Sequence, residues 1–86
     1  MHVWLIAMVT TDVGEQLREV MAGVLEAEPG AIGAGFGRDD TPQWDSLNHL
    51  RLITAIEEAF GIRFDMREVS RMERFEAIQR AIVERL

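Results

Sequence analysis

Residues 44–61 read WDSLNHLRLITAIEEAFG and contain the signals that start and end one helix. Asp45 is a good N-cap, because its carboxylate can accept a hydrogen bond from a backbone N–H of the first turn. Glycine is the residue that most readily adopts the left-handed conformation found at helix C-termini, and Gly61 stands where this helix should stop. The stretch therefore predicts a helix that begins at Asp45 or Ser46 and ends before Gly61.

Apolar residues recur along this helix at spacings of three and four, which is typical of a helix with one buried face. The stripe expected to be buried consists of Leu47, Leu50, Ile53 or Thr54, and Phe60, widened by Leu52 and Ile56. A glycine-rich segment, residues 28–37, precedes the helix and cannot itself continue a helix. We expect Ile32 and Phe36 to anchor this long loop in the core, because long unanchored loops are uncommon in compact domains.

Three further helices are predicted from the same periodicity. The first follows an N-cap at Thr11 or Asp12, ends near Leu25 or Ala27, and has an apolar face of Val13, Leu17, Val20, Met21 and Val24. The third is short, covers Met66 to Arg71, and directs Val69 and Met72 inward. The fourth has an apolar face of Phe75, Ile78, Ala81, Ile82 and Leu86. The methionines at 21, 66 and 72 are expected to fill gaps in the core.

The chain has 86 residues, 48% of them hydrophobic, and no cysteine, so helix packing must supply its stability. We predict an all-α fold with one domain over residues 12–86 and an N-terminal extension over residues 1–11. The apolar run at residues 3–9 lacks the features of a signal peptide and is far shorter than the roughly 20 residues that span a bilayer. Secretion and membrane anchoring are therefore not expected.

The formal net charge is −6, with 15 acidic residues against 9 basic ones. An anionic surface repels nucleic acids and anionic membranes and favours partners with basic patches. The two histidines, His2 and His49, lack the spacing of metal ligands, so no metal site is predicted.

Asp45-Ser46-Leu47, leading into a helix that closes with Glu57-Glu58-x-Phe60-Gly61, resembles the segment on which acyl carrier proteins bear their phosphopantetheine arm. The long loop before this segment, the short third helix and the closing amphipathic helix extend the resemblance over residues 12–86. The resemblance implies a four-helix bundle of the acyl-carrier type, with a short third helix and a long loop between helices one and two.

By this resemblance Ser46, beside Asp45, is the attachment point of 4'-phosphopantetheine, which a phosphopantetheinyl transferase takes from coenzyme A. The carrier is then a cytoplasmic monomer without catalytic residues, and it shuttles acyl thioesters between separate acyl-loading and acyl-processing enzymes. Free backbone N–H groups at a helix N-terminus favour the phosphate of such an arm. In the family, inward-facing residues line a groove for the acyl chain, and the corresponding residues here are Phe36, Leu50, Ile53 and Phe64.

Partner enzymes are expected to dock on the second helix and the loop before it. The expected docking residues are Asp39, Asp40, Trp44, Leu47, Arg51, Glu57 and Glu58. Fatty-acid carriers usually have acids soon after the serine, whereas Asn48, His49 and Arg51 follow it here. Trp44 before Asp45 is a second departure. The first departure argues against housekeeping fatty-acid synthesis. Trp44-Asp45-Ser46-Leu47 instead resembles discrete carriers of specialised pathways, such as polyketide, hybrid peptide or polysaccharide-modifying biosynthesis.

Two alternatives remain from the residues themselves. Ser46 and His49 are three residues apart on one helix. The first alternative is therefore a catalytic pair in which Ser46 is the nucleophile, His49 is its base and Asp45 orients the base. Both side chains are expected to be solvent-exposed, however, on a chain too small to enclose a pocket. The stronger alternative is a non-catalytic helical interaction module without a prosthetic group, with Ser46 as a helix cap and the apolar N-terminal run as a docking strip.

Overall fold

The computed structural model describes the backbone of residues 2–86 and the side chains from residue 12 onward. It has four helices, α1 (His2–Leu25), α2 (Ser46–Phe60), α3 (Met66–Arg71) and α4 (Phe75–Val83). Two short 3-10 turns, Pro29–Ala31 and Arg38–Asp40, lie in the connection between α1 and α2. The described residues contain no β-strand, so the predicted all-α class is confirmed.

The predicted start of helix one at Thr11 or Asp12 is wrong, because α1 begins at His2 and passes through both residues. No proline or glycine lies between His2 and Asp12, and Thr and Asp lower helix stability only modestly in a helix interior. The side chains of the predicted N-terminal extension, residues 1–11, lie outside the described residues. The predicted end at Leu25 is confirmed.

The core is formed where α1 packs on both α2 and α4. Its fully buried large side chains are Leu17, Met21, Leu25, Ile32, Leu52, Ile56, Ile78 and Ile82. Every helix and the long loop contribute buried residues, with Val69 and Met72 coming from α3 and its C-cap and Phe75 from the start of α4. The inward-facing positions predicted for α4 are confirmed except for Leu86.

The predicted buried face of α2 is confirmed at Leu52, Ile53 and Ile56 and wrong at Leu47 and Leu50. Leu47 and Leu50 are 59% and 55% exposed, and the buried residues of the helix are His49, Leu52, Ile53 and Ile56. At about 100° per residue, Leu47 lies on the opposite side of the helix from Ile56. The core accepts His49 because both of its ring nitrogens have hydrogen-bond partners. A polar residue is therefore buried where the apolar pattern predicted Leu47 and Leu50 to be.

Two other residues predicted to be inward-facing are exposed. Met66 is 79% exposed at the first position of α3, where Asp65 caps the helix by accepting a hydrogen bond from the Glu68 N–H. Leu86 is 66% exposed because α4 ends at Val83, one turn before it. The helix boundaries at these two ends, rather than the apolar spacing, decide which residues reach the core.

The long loop is held to the bundle at both of its predicted anchors. Ile32 is buried, and its carbonyl accepts a hydrogen bond from Arg18 Nε at 2.7 Å. Phe36 is half-buried, and its carbonyl accepts a hydrogen bond from the Phe75 N–H at 2.8 Å. An isolated antiparallel bridge between Gly37 and Arg74 extends this pairing. The loop segment at 36–38 therefore runs beside the start of α4.

Candidate functional site

The first turn of α2 is capped by Asp45, as predicted. Its Oδ1 accepts a hydrogen bond from the Asn48 N–H at 2.8 Å, and the Asn48 side-chain amide donates to the Gln43 carbonyl at 2.7 Å. A side chain that accepts the N–H of the third helical residue satisfies one of the donors left free at a helix start. Because Asp45 does this, Ser46 is not the cap, contrary to what the interaction-module alternative assumed.

Ser46 is exposed and is the first residue of α2. Its hydroxyl oxygen accepts a hydrogen bond from Arg38 Nη2 at 3.2 Å. Sequence reasoning missed Arg38, which lies eight residues earlier in the long loop. A signal was nevertheless present, because Arg38 is the only cationic residue between Arg18 and Arg51.

His49 is 6% exposed, so its expected place at the surface is wrong. Trp44 Nε1, which can only donate, lies 2.9 Å from His49 Nδ1, and His49 Nε2 lies 2.7 Å from the Val69 carbonyl oxygen. Nδ1 must therefore accept, and the proton must reside on Nε2, which donates to the carbonyl. Both nitrogens are engaged inside the core, which removes His49 as a base for Ser46.

Trp44 was expected on the docking surface, and this expectation is wrong because the side chain is only 2% exposed. Its ring stacks on Phe36 with the ring centroids 6.0 Å apart, and its N–H is satisfied by His49. A buried tryptophan normally needs such a partner for its N–H. The residue before Asp45 thus joins the loop to α2 instead of contacting a partner protein.

The other expected docking residues divide by exposure. Asp39, Asp40, Leu47, Arg51 and Glu58 are exposed. Glu57 is half-buried and accepts a hydrogen bond from the Phe64 N–H at 2.9 Å, so it holds the segment after α2. Leu47, Leu50, Arg51 and Glu58 share the outward side of α2, which we call the outer face of α2.

The four residues expected to line an acyl groove are not brought together. Leu50 lies on the outer face of α2, whereas Ile53 is 6% exposed within the core. Phe36 stacks on Trp44, and the guanidinium of Arg85 lies 4.8 Å from the ring centroid of Phe64. The predicted groove is therefore not formed in this arrangement of the helices.

A surface groove of about 520 Å³ lies at the C-terminal end of α2. Its lining residues are Thr54, Glu57, Glu58, Gly61, Ile62 and Arg63. Its lining residues on α2 begin at Thr54, about 12 Å along the helix axis from Ser46, so the groove does not belong to the serine site. Among the described residues there is no cluster of three or more potential metal ligands, and no helix is long and apolar enough to cross a bilayer.

Comparison with known proteins assigns no family to this chain: no family model matches it, and no curated protein matches it significantly.

Proposed function

We propose that this protein is an acyl carrier that receives 4'-phosphopantetheine at Ser46. The observation that carries the proposal is an exposed serine hydroxyl at the first position of α2, with the capping role taken by its neighbour Asp45. A serine that does not serve the helix start structurally is free to be modified. The arrangement of three longer helices, one short helix and an anchored long loop is compatible with the acyl-carrier type of bundle.

The residues around Ser46 suit an anionic substituent. Backbone N–H groups at the start of α2 lie beside the hydroxyl, and a helix N-terminus favours negative charge. Arg38 adds a cation within hydrogen-bond distance of the oxygen. When bound, the arm would supply a terminal thiol that carries acyl groups as thioesters, and its length would keep them at high effective concentration for a docked enzyme.

The chain's own part in this function is to present the serine and to be recognised. The outer face of α2 begins one residue after Ser46 and combines two exposed leucines with Arg51 and Glu58. A phosphopantetheinyl transferase and the acyl-loading and acyl-processing enzymes would dock there. The mixed charges of this face favour partners of a specialised biosynthetic pathway over those of fatty-acid synthesis, which read a more uniformly acidic helix.

The proposal is tested by incubating the protein with coenzyme A, magnesium and a broad-specificity phosphopantetheinyl transferase and measuring the intact mass. We expect a gain of about 340 Da, the mass of the arm. The matched controls are Ser46→Ala and Ser70→Ala, since these are the only two serines in the chain. Ser70 is also exposed and helical, but its hydroxyl donates to the Arg67 carbonyl at 2.8 Å.

The mass gain should persist in Ser70→Ala and vanish in Ser46→Ala. No gain with several transferases, or a gain that survives Ser46→Ala, contradicts the carrier function.

A second candidate is a protein-interaction module without a prosthetic group. The observation that favours it is the exposure of Leu47 and Leu50 on neighbouring turns of one helix, because exposed apolar groups in a cluster often mark a binding surface. Under this alternative Ser46 would stay unmodified, so the same mass measurement separates the two functions.

A further inference from the structure

Arg38 directs its guanidinium at three different groups near the start of α2. Its Nε donates to the Trp44 carbonyl at 3.0 Å, and its Nη2 donates to Ser46 Oγ at 3.2 Å. Its Nη1 forms a 2.7 Å ion pair with Glu73 Oε2. A guanidinium has five N–H donors, so these three contacts leave two further donors on the same fork.

The backbone of Arg38 is fixed as well as its side chain. Its N–H donates to the Glu73 carbonyl at 2.9 Å, directly after the Gly37–Arg74 bridge. The preceding Gly37 N–H donates to Asp40 Oδ2 at 2.7 Å, and the Asp40 N–H donates to the Gly37 carbonyl at 2.9 Å, which closes the 3-10 turn. The pairing of the loop with residues 73–75 therefore holds the backbone from which the Arg38 side chain extends to the serine.

From this geometry we infer that Arg38 is the positioning residue of the Ser46 site: it orients the free hydroxyl and pairs with the phosphate ester after modification. The inference rests on the proposed function and adds a residue to it. The lone pair of Oγ faces Arg38, which leaves the hydroxyl hydrogen free to point to solvent. A phosphate on Oγ would place its anionic oxygens beside a guanidinium whose planar fork matches phosphate geometry.

The transfer step defines what Arg38 must accommodate. Ser46 Oγ forms a bond to the phosphorus that carries the pantetheine part of coenzyme A, and the pyrophosphate P–O bond breaks. The adenosine bisphosphate part leaves with the bonding electron pair, and the hydroxyl proton passes to a base on the transferase. The product at Ser46 is a phosphodiester with one negative charge, which was absent before the transfer.

Glu73 is the ion-pair partner of Arg38 while Ser46 is unmodified. Its carboxylate holds one edge of the guanidinium, and both side chains are partly exposed, at 28% for Arg38 and 48% for Glu73. An exchange of partners between two exposed anions requires little desolvation. A phosphate ester can use the two remaining donors, but the Glu73 carboxylate partly neutralises the guanidinium and repels a second anion, so removing the Glu73 charge should strengthen the pairing.

The test uses phosphoserine encoded at position 46, which puts a phosphate ester on Oγ without any transferase. Urea unfolding compares the phosphorylated and unmodified proteins with Arg38 intact and as Arg38→Gln, with Arg80→Gln as a charge-matched control on α4. Phosphorylation changes the equilibrium constant for folding by some factor in each protein. We expect this factor to be roughly threefold to tenfold larger with Arg38 present than in Arg38→Gln. Arg80→Gln should behave as the wild type.

Two further proteins keep this comparison decisive. Phosphoserine at position 70 should give an effect that does not depend on Arg38. Glu73→Gln leaves Arg38 in place and should enlarge the stabilisation that phosphoserine at position 46 gives. This variant also provides the test if Arg38→Gln folds poorly. An equal effect of phosphoserine 46 with and without Arg38, or no gain in Glu73→Gln, overturns the inference.

The enzymatic arm separates this inference from the proposed function. Arg38→Gln should slow phosphopantetheinyl transfer to Ser46 about tenfold, and Arg38→Lys should recover part of the rate by keeping the charge without the fork. If wild-type protein is never modified, the carrier function fails while the phosphoserine comparison still decides the role of Arg38. If wild type and Arg38→Gln are modified equally fast, the positioning role fails and the carrier function stands.

Discussion

At the scale of single residues, His49 connects three chain segments next to the serine site. Its ring accepts from Trp44 in the loop and donates to the Val69 carbonyl in α3, although its own position is in α2. A buried imidazole with both nitrogens satisfied fixes the relative position of three chain segments. Ser46 lies one turn before His49, so the same contacts hold the start of α2 against the loop that contains Arg38.

The hydrogen bond from Trp44 Nε1 to His49 Nδ1 should contribute measurably to stability. Trp44→Phe keeps an aromatic ring but removes the donor, which leaves the buried Nδ1 of His49 without a partner. We expect a loss of about 1–3 kcal/mol in the free energy of unfolding, measured by urea denaturation. In a His49→Leu background the same substitution should cost clearly less. Equal losses in the two backgrounds would show that the hydrogen bond contributes nothing beyond packing.

At the scale of elements, the sequence predicted the bounds of α2 because both of its ends have specific chemistry. Asp45 accepts a hydrogen bond from the first turn of α2. Asp65 caps α3 in the same way, although the prediction of that helix did not use it. Gly61 ends α2 with a φ of 66°. The end of α1 uses the same left-handed geometry with Glu26, at φ 53°, so no glycine marked it. The predicted end of this helix near Leu25 or Ala27 rested on the segment that follows, where Pro29 and Gly30 cannot continue a helix.

The rotation of α2 could not be predicted in the same way. Apolar spacing allowed a stripe through Leu47 and Leu50, and only the partners of His49, from the loop and from α3, turn that stripe outward. Arg38 was missed for the same reason: it is only eight residues from Ser46, but its position depends on the pairing of residues 36–38 with 73–75, which are distant in sequence. Local patterns fixed where Ser46 lies in its helix, and tertiary contacts decided its neighbours.

A pair of identical substitutions tests the account of helix ends. Gly61→Ala should destabilise the protein by about 1 kcal/mol, because alanine is strained at a positive φ. Gly23→Ala lies inside α1 with open space around the new Cβ, so it should stabilise by up to about 1 kcal/mol. Thermal unfolding of both variants measures the difference. Effects of the same sign would contradict the left-handed C-cap.

At the scale of the whole molecule, the chain is small and anionic, and the outer face of α2 beside Ser46 combines apolar and charged side chains. The net charge of −6 favours approach of partners with basic patches. The outer face of α2 then offers two exposed leucines for close contact, next to Arg51. The outer face of α2 lies beside the proposed attachment point, so under the proposed function an enzyme docked there would be close to Ser46.

A docking prediction follows from the exposure of Leu50. Leu50→Asp should change the free energy of unfolding by less than about 0.5 kcal/mol, because the side chain is 55% exposed. It should lower kcat/KM of the phosphopantetheinyl transferase about tenfold by removing an apolar contact. Leu86→Asp is the matched control, since Leu86 is similarly exposed but lies beyond α4. Equal kcat/KM values for the two variants would exclude the outer face of α2 as the docking surface.

The most direct test of the carrier function is tandem mass spectrometry of the trypsin-digested protein after the transferase reaction. Cleavage after Arg38 and Arg51 releases the peptide 39–51, in which Thr41 and Ser46 are the only hydroxyl residues. We predict that the gain of about 340 Da lies in this peptide and that its fragments place it on Ser46. A gain on Thr41, a gain in the Ser70 peptide, 68–71, or an unmodified peptide 39–51 would contradict the central claim.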